Sequence, residues 1–231
     1  MAQKIVQTNS SKKITSDACK HKHVFEVFLF VNPFGDTCLN CEEEVLKFVQ
    51  QTDKKVYFRF ITTSDMQTFN NYIKALDKPL SLADRNSLYL AHQEVCKGYK
   101  AALLQGKKVG REYLMKIQDY FGRQGNPYSH EKMLEIAQSK RLDTDMWLQD
   151  FHSDLTQEGI VADAKLARQM QISANPTVVV FDNINYKYGF KLEENITLEN
   201  LEYLTDQMMI PSEEAMDQEM NQKPILTCIK K

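Results

Sequence analysis

The first dense block of apolar positions, Val24-Phe25-Glu26-Val27-Phe28-Leu29-Phe30-Val31, is short, aromatic and β-branched, and is stopped by Asn32-Pro33 and Gly35-Asp36. That pattern predicts a buried strand ended by turn formers. From Cys41 to Val49 the apolar positions fall at Val45, Leu46, Phe48 and Val49, behind Glu42, Glu43 and Glu44. The period is that of an amphipathic helix with acids in its first turn. Lys55 to Ile61 alternates, with Val56, Phe58 and Phe60 against Tyr57, Arg59 and Ile61, and predicts a second strand. Strand, helix and strand within about forty residues form a βαβ unit, so the two strands should run parallel.

From Ser64 to roughly Ile172 the period becomes helical. Leu88, Ala91, Val95, Tyr99, Ala102 and Leu103 share one face, as do Tyr113, Leu114, Ile117 and Phe121, before Gly122 to Pro127 interrupts. Ser129 to Ser139 and Thr144 to Leu155 predict two short helices, each opened by a capping residue type. Ile160, Ala164, Ala167 and Met170 continue the block to about Gln171. Strand patterning then returns at Thr177-Val178-Val179-Val180-Phe181, with a turn at Asp182-Asn183 and a return strand over Tyr186 to Phe190. A last helix is expected from about Thr197 to Met209, closed by Pro211.

The order is βαβ, a helical block, then ββα: an α/β chain with a thioredoxin fold interrupted by a large all-helical insertion. The expected organisation is a flexible arm over residues 1–22, a thioredoxin-like domain over 23–62 and 172–210, the insertion over 63–171, and a tail over 211–231. The tail's one apolar piece is Pro224-Ile225-Leu226.

Composition narrows the function. Across 231 residues, 29 Lys and Arg face 31 Asp and Glu, a net charge of −2, so a nucleic-acid partner is not expected. The longest apolar run, Val24 to Val31, already contains Glu26 and is far shorter than a membrane helix requires. Met1 to Thr15 is polar and lysine-bearing, with no apolar signal-peptide core, which leads to the expectation of a cytoplasmic protein. Five cysteines at irregular spacing, Cys19, Cys38, Cys41, Cys96 and Cys228, do not suggest a disulfide framework.

One pair is different. Cys38-Leu39-Asn40-Cys41 is expected between the first strand and the first helix, where a thioredoxin-like protein keeps its redox pair. Unpaired N–H groups and the positive dipole end of the helix favour a thiolate there. Two readings stay open: a working dithiol, and a cysteine pair kept without catalytic duty. Leu39-Asn40 brings no cation, and Glu42, Glu43 and Glu44 place negative charge beside any thiolate, which suits a mild dithiol better than a strong oxidant. Ala174-Asn175-Pro176-Thr177, after a helix and before a strand, is where this fold carries a cis-proline loop. Asn175 and Pro176 are therefore candidate site residues and a cis bond is favoured over an ordinary trans one.

Other signals are weaker. Cys19, His21 and His23 have zinc-ligand types, but Lys20 and Lys22 oppose a cation and a surface arm is the favoured reading. No second ligand pair accompanies Cys38 and Cys41, so no metal and no cofactor is assigned. His92, His130 and His152 read as surface or capping histidines, and Trp147 as core.

Several segments resemble one known family. Tyr99-Lys100-Ala101-Ala102-Leu103-Leu104-Gln105-Gly106-Lys107-Lys108-Val109-Gly110 with Tyr113-Leu114, and Asp150-Phe151-His152-Ser153-Asp154-Leu155, are two of them. Asp163-Ala164-Lys165-Leu166-Ala167 and Ile172-Ser173-Ala174-Asn175-Pro176-Thr177 are the others. Over roughly Val24 to Met209 the chain resembles the SpxH (YjbH) branch of the DsbA superfamily. The resemblance implies a cytoplasmic adaptor that binds the regulator Spx, or a similar protein client, and promotes its proteolysis by ClpXP, with ClpX as a further partner. The other reading is a cytosolic DsbA-like thiol-disulfide oxidoreductase or isomerase. In that case Cys38 attacks a substrate disulfide, Cys41 resolves the mixed disulfide and Pro176 holds the substrate strand.

Overall fold

The computed structural model describes residues 23–76, 79–184 and 188–210, together with the backbone of Leu226–Lys230. In chain order the strands are β1 (Val24–Val31), β2 (Lys55–Thr62), β3 (Thr177–Asp182), β4 (Tyr188–Leu192) and β5 (Leu226–Lys230). The helices are α1 (Asp36–Gln51), α2 (Met66–Ala75), α3 (Leu82–Leu104), α4 (Lys107–Ile117), α5 (His130–Ser139), α6 (Thr144–Phe151), α7 (Asp154–Gln169) and α8 (Leu198–Met208). A π-helical segment, Gln118–Arg123, continues α4.

The strands form one sheet in the order β2-β1-β3-β4-β5. β1 runs parallel to β2, with Val24 opposite Lys55 and Val31 opposite Thr62. β3 is antiparallel to β1 and β4 to β3. Because successive strand side chains point to opposite faces, β1 divides its apolar run between two layers. Phe25, Val27 and Leu29 pack with Val45 and Phe48 of α1 and Leu201 and Leu204 of α8. Phe28 and Phe30 pack on the other side with Val179, Phe181 and the end of α7 at Ala167 and Met170. A strand covered on both faces reads as a continuous apolar run.

The insertion has its own core of Val95, Ala102, Tyr113, Ile117, Met133, Trp147 and Phe151. Trp147 is fully buried and its Nε1–H donates to the Gly98 carbonyl at 2.9 Å. Gly98 permits this close approach, since a Cβ there would sit 2.6 Å from Met133 and 2.8 Å from the Tyr113 hydroxyl.

Three segments differ from their sequence patterning. The expected helix over Thr144 to Leu155 breaks at His152, where Ser153 accepts from the Thr156 N–H at 3.3 Å and caps a new helix, α7. Leu226–Lys230, placed in the tail, adds an antiparallel fifth strand to β4. The outer edge of β4 supplies the backbone partners for it, and a short apolar segment suffices to use them. The first helix begins at Asp36, five residues before the apolar period suggests, with consequences for the cysteines.

Candidate functional site

The turn after β1 sets the site. The Asn32 side chain accepts from the Phe34 N–H at 2.8 Å, and the Gly35 N–H donates to the Asn32 carbonyl at 3.1 Å. Gly35 is extended and stands as the helix N-cap, so α1 starts at Asp36. Cys38 therefore lies inside the first turn of α1, not ahead of the helix, and Cys41 follows one turn later. Gly122 of the π segment seats against this turn. A Cβ there would lie 2.5 Å from the Phe34 carbonyl oxygen.

Cys38 is 2% exposed, and its sulfur accepts from the Asn32 N–H at 3.2 Å. Burial is the largest influence on the thiol and pushes its pKa far above the ordinary range. The Asn32 N–H favours the thiolate, while Glu42 and Cys41 oppose it. Cys41 is pushed up to about 12, first by burial and then by Glu42 and Glu44. Both thiols are thus protonated at neutral pH, and a thiol is a poor nucleophile compared with a thiolate. Position at a helix N-terminus lowers a thiol's pKa only when solvent or other partners share the charge; here desolvation outweighs it.

The three glutamates after Cys41 do not form the exposed acidic patch that the sequence suggests. Glu42 is fully buried, and burial raises its pKa well above the ordinary carboxyl value, which favours its protonated form. The Gln118 amide, also buried, donates to Glu42 Oε1 at 2.9 Å and to the Asn32 carbonyl at 3.1 Å. Glu44 turns to Lys47 and to the Leu198 N–H at the start of α8. Arg123 is the cation at the first turn of α1, and it is committed to groups other than the thiols: it donates to Asp36 at 2.9 Å and to Asn40 at 2.6 Å, and lies 3.5 Å from Glu43. Sequence reading missed Glu42 in this role, together with Asn32, Gln118 and Arg123. Gln118 comes from a helix 76 positions along the chain, and no local signal marks it.

The Asn175–Pro176 peptide bond is cis. The Asn175 amide donates to the Thr63 hydroxyl just past β2, and Asn71 of α2 donates to the Ser173 carbonyl at 2.7 Å. These ties hold the loop over a cleft of about 480 Å³ lined by Phe34, Cys38, Thr68, Tyr72, Ala174 and Asn175. Cys38 and Asn175 therefore meet at one cleft. Cys41 and Pro176 adjoin them in sequence without lining it.

The remaining candidates separate. Cys19 and His21 lie outside the described residues. His23 is buried, with Nδ1 2.6 Å from an Asp182 carboxylate oxygen, a tie between the start of β1 and the end of β3. Among the described residues no group of three or more His, Cys, Asp or Glu side chains is placed to hold a metal ion. His92 is a correction: it is buried, not at the surface, between the Phe34 and Phe69 rings and 3.9 Å from the Cys96 sulfur. Desolvation pushes its pKa down to about 3.

No described helix is long and apolar enough to cross a membrane. The family described as Thioredoxin matches residues 28–203. The ClpXP adapter protein SpxH of Bacillus subtilis is 26% identical over 205 residues, covering 81% of this chain and 69% of that protein. Its Bacillus cereus counterpart is 27% identical over 198 residues, 77% of this chain and 66% of that protein. This chain thus aligns with only about two thirds of the length of those relatives. Among solved structures, the oxidoreductase DsbA from Xylella fastidiosa superposes with a TM-score of 0.55 at 12% identity, covering 84% of this chain and 87% of that one. With a βαβ…ββα sheet, a helical insertion between β2 and β3, and a family match over most of its length, the chain belongs to the thioredoxin family, with a DsbA-like fold and sequence similarity to the SpxH adapters.

Proposed function

We propose that this chain is a cytoplasmic adaptor that binds a protein client, Spx or a similar regulator, and promotes its proteolysis by ClpXP. The observation that carries the reading is the state of Cys38. The residue stands where a thioredoxin-like enzyme places its nucleophile, yet it is almost fully buried, its thiol pKa is pushed up, and the buried Glu42 carboxyl of the same helix further disfavours a thiolate. The fold then offers a shaped surface without an activated thiol, and a change of this kind needs no change of fold. The names of the relatives point the same way. The adaptor role requires no cofactor.

One observation favours a second reading, a thiol-disulfide oxidoreductase: Cys38 still lines the cleft beside Asn175. The two readings part on dependence on the thiols. Loss of purified Spx is followed over time with ClpXP alone, with wild-type chain, and with the Cys38→Ser/Cys41→Ser variant. The adaptor reading expects equal acceleration by both forms. Acceleration by neither, with disulfide turnover by the wild type alone, would establish the oxidoreductase instead.

A further inference from the structure

The sheet has a second exposed feature, far in character from the cysteine cleft. β2 is a terminal strand, paired with β1 on one side only, and no other described strand adjoins it. In a terminal strand every second residue turns its N–H and C=O outward, and those groups remain available to another chain. The C-terminal end of β2 is closed by the insertion, where the Tyr99 hydroxyl donates to the Phe60 carbonyl at 2.9 Å. The stretch from Lys55 to Arg59 is open: Lys55, Tyr57 and Arg59 are exposed, with Val56 and Phe58 half-buried.

Two adjoining clefts, of about 370 and 220 Å³, run along this stretch and share Phe58, Arg59, Lys107 and Arg111. The arginines are held in place by aromatic rings. Arg59 lies 4.7 Å from the centre of the Phe28 ring and Arg111 4.6 Å from that of Phe58. Among the described residues, Arg59, Lys107 and Arg111 form no ion pair; of the two acids that line the clefts, Asp163 pairs with Lys100 and also feels the Arg59 charge, and Glu26 stands in the larger one. An open strand edge flanked by three cations outside any described ion pair is an unusual surface on a chain whose net charge is −2.

We propose that the free edge of β2 accepts an extended acidic segment of a protein partner, which adds a strand beside Lys55–Arg59 and sets its carboxylates against Arg59, Lys107 and Arg111. Backbone pairing supplies the generic attraction in such complexes, and alternate side chains supply selectivity. A second copy of this chain does not fit the edge, because antiparallel pairing of β2 with itself would bring Lys55 and Arg59 against the same cations. A nucleic acid fits less well, since the outward carbonyls of the strand need N–H donors, which a peptide backbone supplies and a phosphate backbone does not. The proposal goes beyond the adaptor reading and stands whether or not a protease takes part.

The test uses the full chain without ClpXP and a fluorescein-labelled ten-residue peptide alternating Val and Glu. Binding is followed by fluorescence anisotropy, and amide hydrogen exchange locates it. The expected result is saturable binding that weakens with salt, slowed exchange within residues 55–59, and no binding of the peptide carrying Lys in place of Glu. Arg59→Gln/Arg111→Gln should weaken binding about tenfold, Lys107→Gln about threefold, and Lys74→Gln, at the end of α2 and outside both clefts, not at all. Circular dichroism checks that each variant is folded, and Lys107→Gln keeps the test open should the double variant not fold, because Lys107 is exposed at the start of α4. Protection confined to another region, equal binding by all variants, binding of a ten-nucleotide oligothymidylate in preference to the peptide, or dimerisation that alone protects residues 55–59 would each overturn the proposal.

Discussion

The cleft at Cys38 and the open edge of β2 sit on the same sheet and could hardly differ more. The cleft holds Cys38 and Asn175, yet its thiol is covered, the buried Glu42 carboxyl of the same helix has its pKa raised, and Arg123, beside the first turn of α1, is spent on Asp36, Asn40 and Glu43. The edge carries no motif, yet it presents unpaired backbone and cations outside any described ion pair. The difference teaches that a chemical motif gains its reactivity from the solvent and charge around it. Burial, with smaller contributions from Glu42 and Cys41, disfavours the thiolate at Cys38 despite its place in the first turn of a helix.

Gly122→Ala should disturb the comparison most. Its new methyl group would meet the Phe34 carbonyl at 2.5 Å, backbone that cannot step aside, so the turn holding Cys38 must shift. A loss of about 3 kcal/mol in urea unfolding is expected, with faster Cys38 labelling, while acidic-peptide binding at β2 stays unchanged.

Glu42→Gln acts in the opposite direction. It keeps the acceptor for the Gln118 amide and replaces a carboxyl oxygen, Glu42 Oε2, that has no hydrogen-bond partner among the described residues. Stability at pH 7 should rise by on the order of 1–3 kcal/mol. The pH dependence follows from the raised pKa. The folded carboxyl keeps its proton while the unfolded one releases it near 4.5, so wild-type stability falls as pH rises from there towards the folded value. The gain in the variant should therefore widen by about 1.4 kcal/mol per pH unit above that point, read from urea curves at several pH values.

His92 supplies the opposite slope. Held neutral with its pKa pushed down to about 3, it contributes stability that is present above 6.5 and lost as pH falls towards 3. Glu42→Gln should thus show a steeper rise in stability between pH 4.5 and 6.5 than the wild type, whose two buried groups oppose each other there. Arg123→Ala should have the smallest effect, below about 1 kcal/mol, because its partners at Asp36, Asn40 and Glu43 are solvent-accessible.

Much of this architecture was legible in the chain itself. β1 showed both of its faces through an unbroken apolar run, and the parallel β1–β2 pair followed from the short distance between them. The late return of strand patterning after a long helical block carried the interrupted order. The site was legible only in its local part. The positions of Cys38 and Cys41 are a matter of spacing, whereas Glu42 reads as surface because it stands between Cys41 and two further acids. Only Gln118, arriving from the insertion, buries it. His92 was misplaced for a similar reason, since Phe34 and Phe69 enclose it from other elements. The start of α1 at Asp36 was hidden because the turn of Asn32 to Gly35, not apolar period, fixes it. The open edge of β2 is a property of strand order and has no signature in one strand's composition.

The most direct test of the central claim, that the thioredoxin-like site here is a sealed surface and not an active dithiol, is the pH dependence of Cys38 alkylation. Iodoacetamide labelling would be followed by mass spectrometry in the Cys41→Ser chain under native conditions. The account predicts slow labelling with no inflection up to about pH 9, beyond the ordinary thiol range. Fast labelling with an inflection between about pH 4 and 7, the range of activated cysteines, would contradict it.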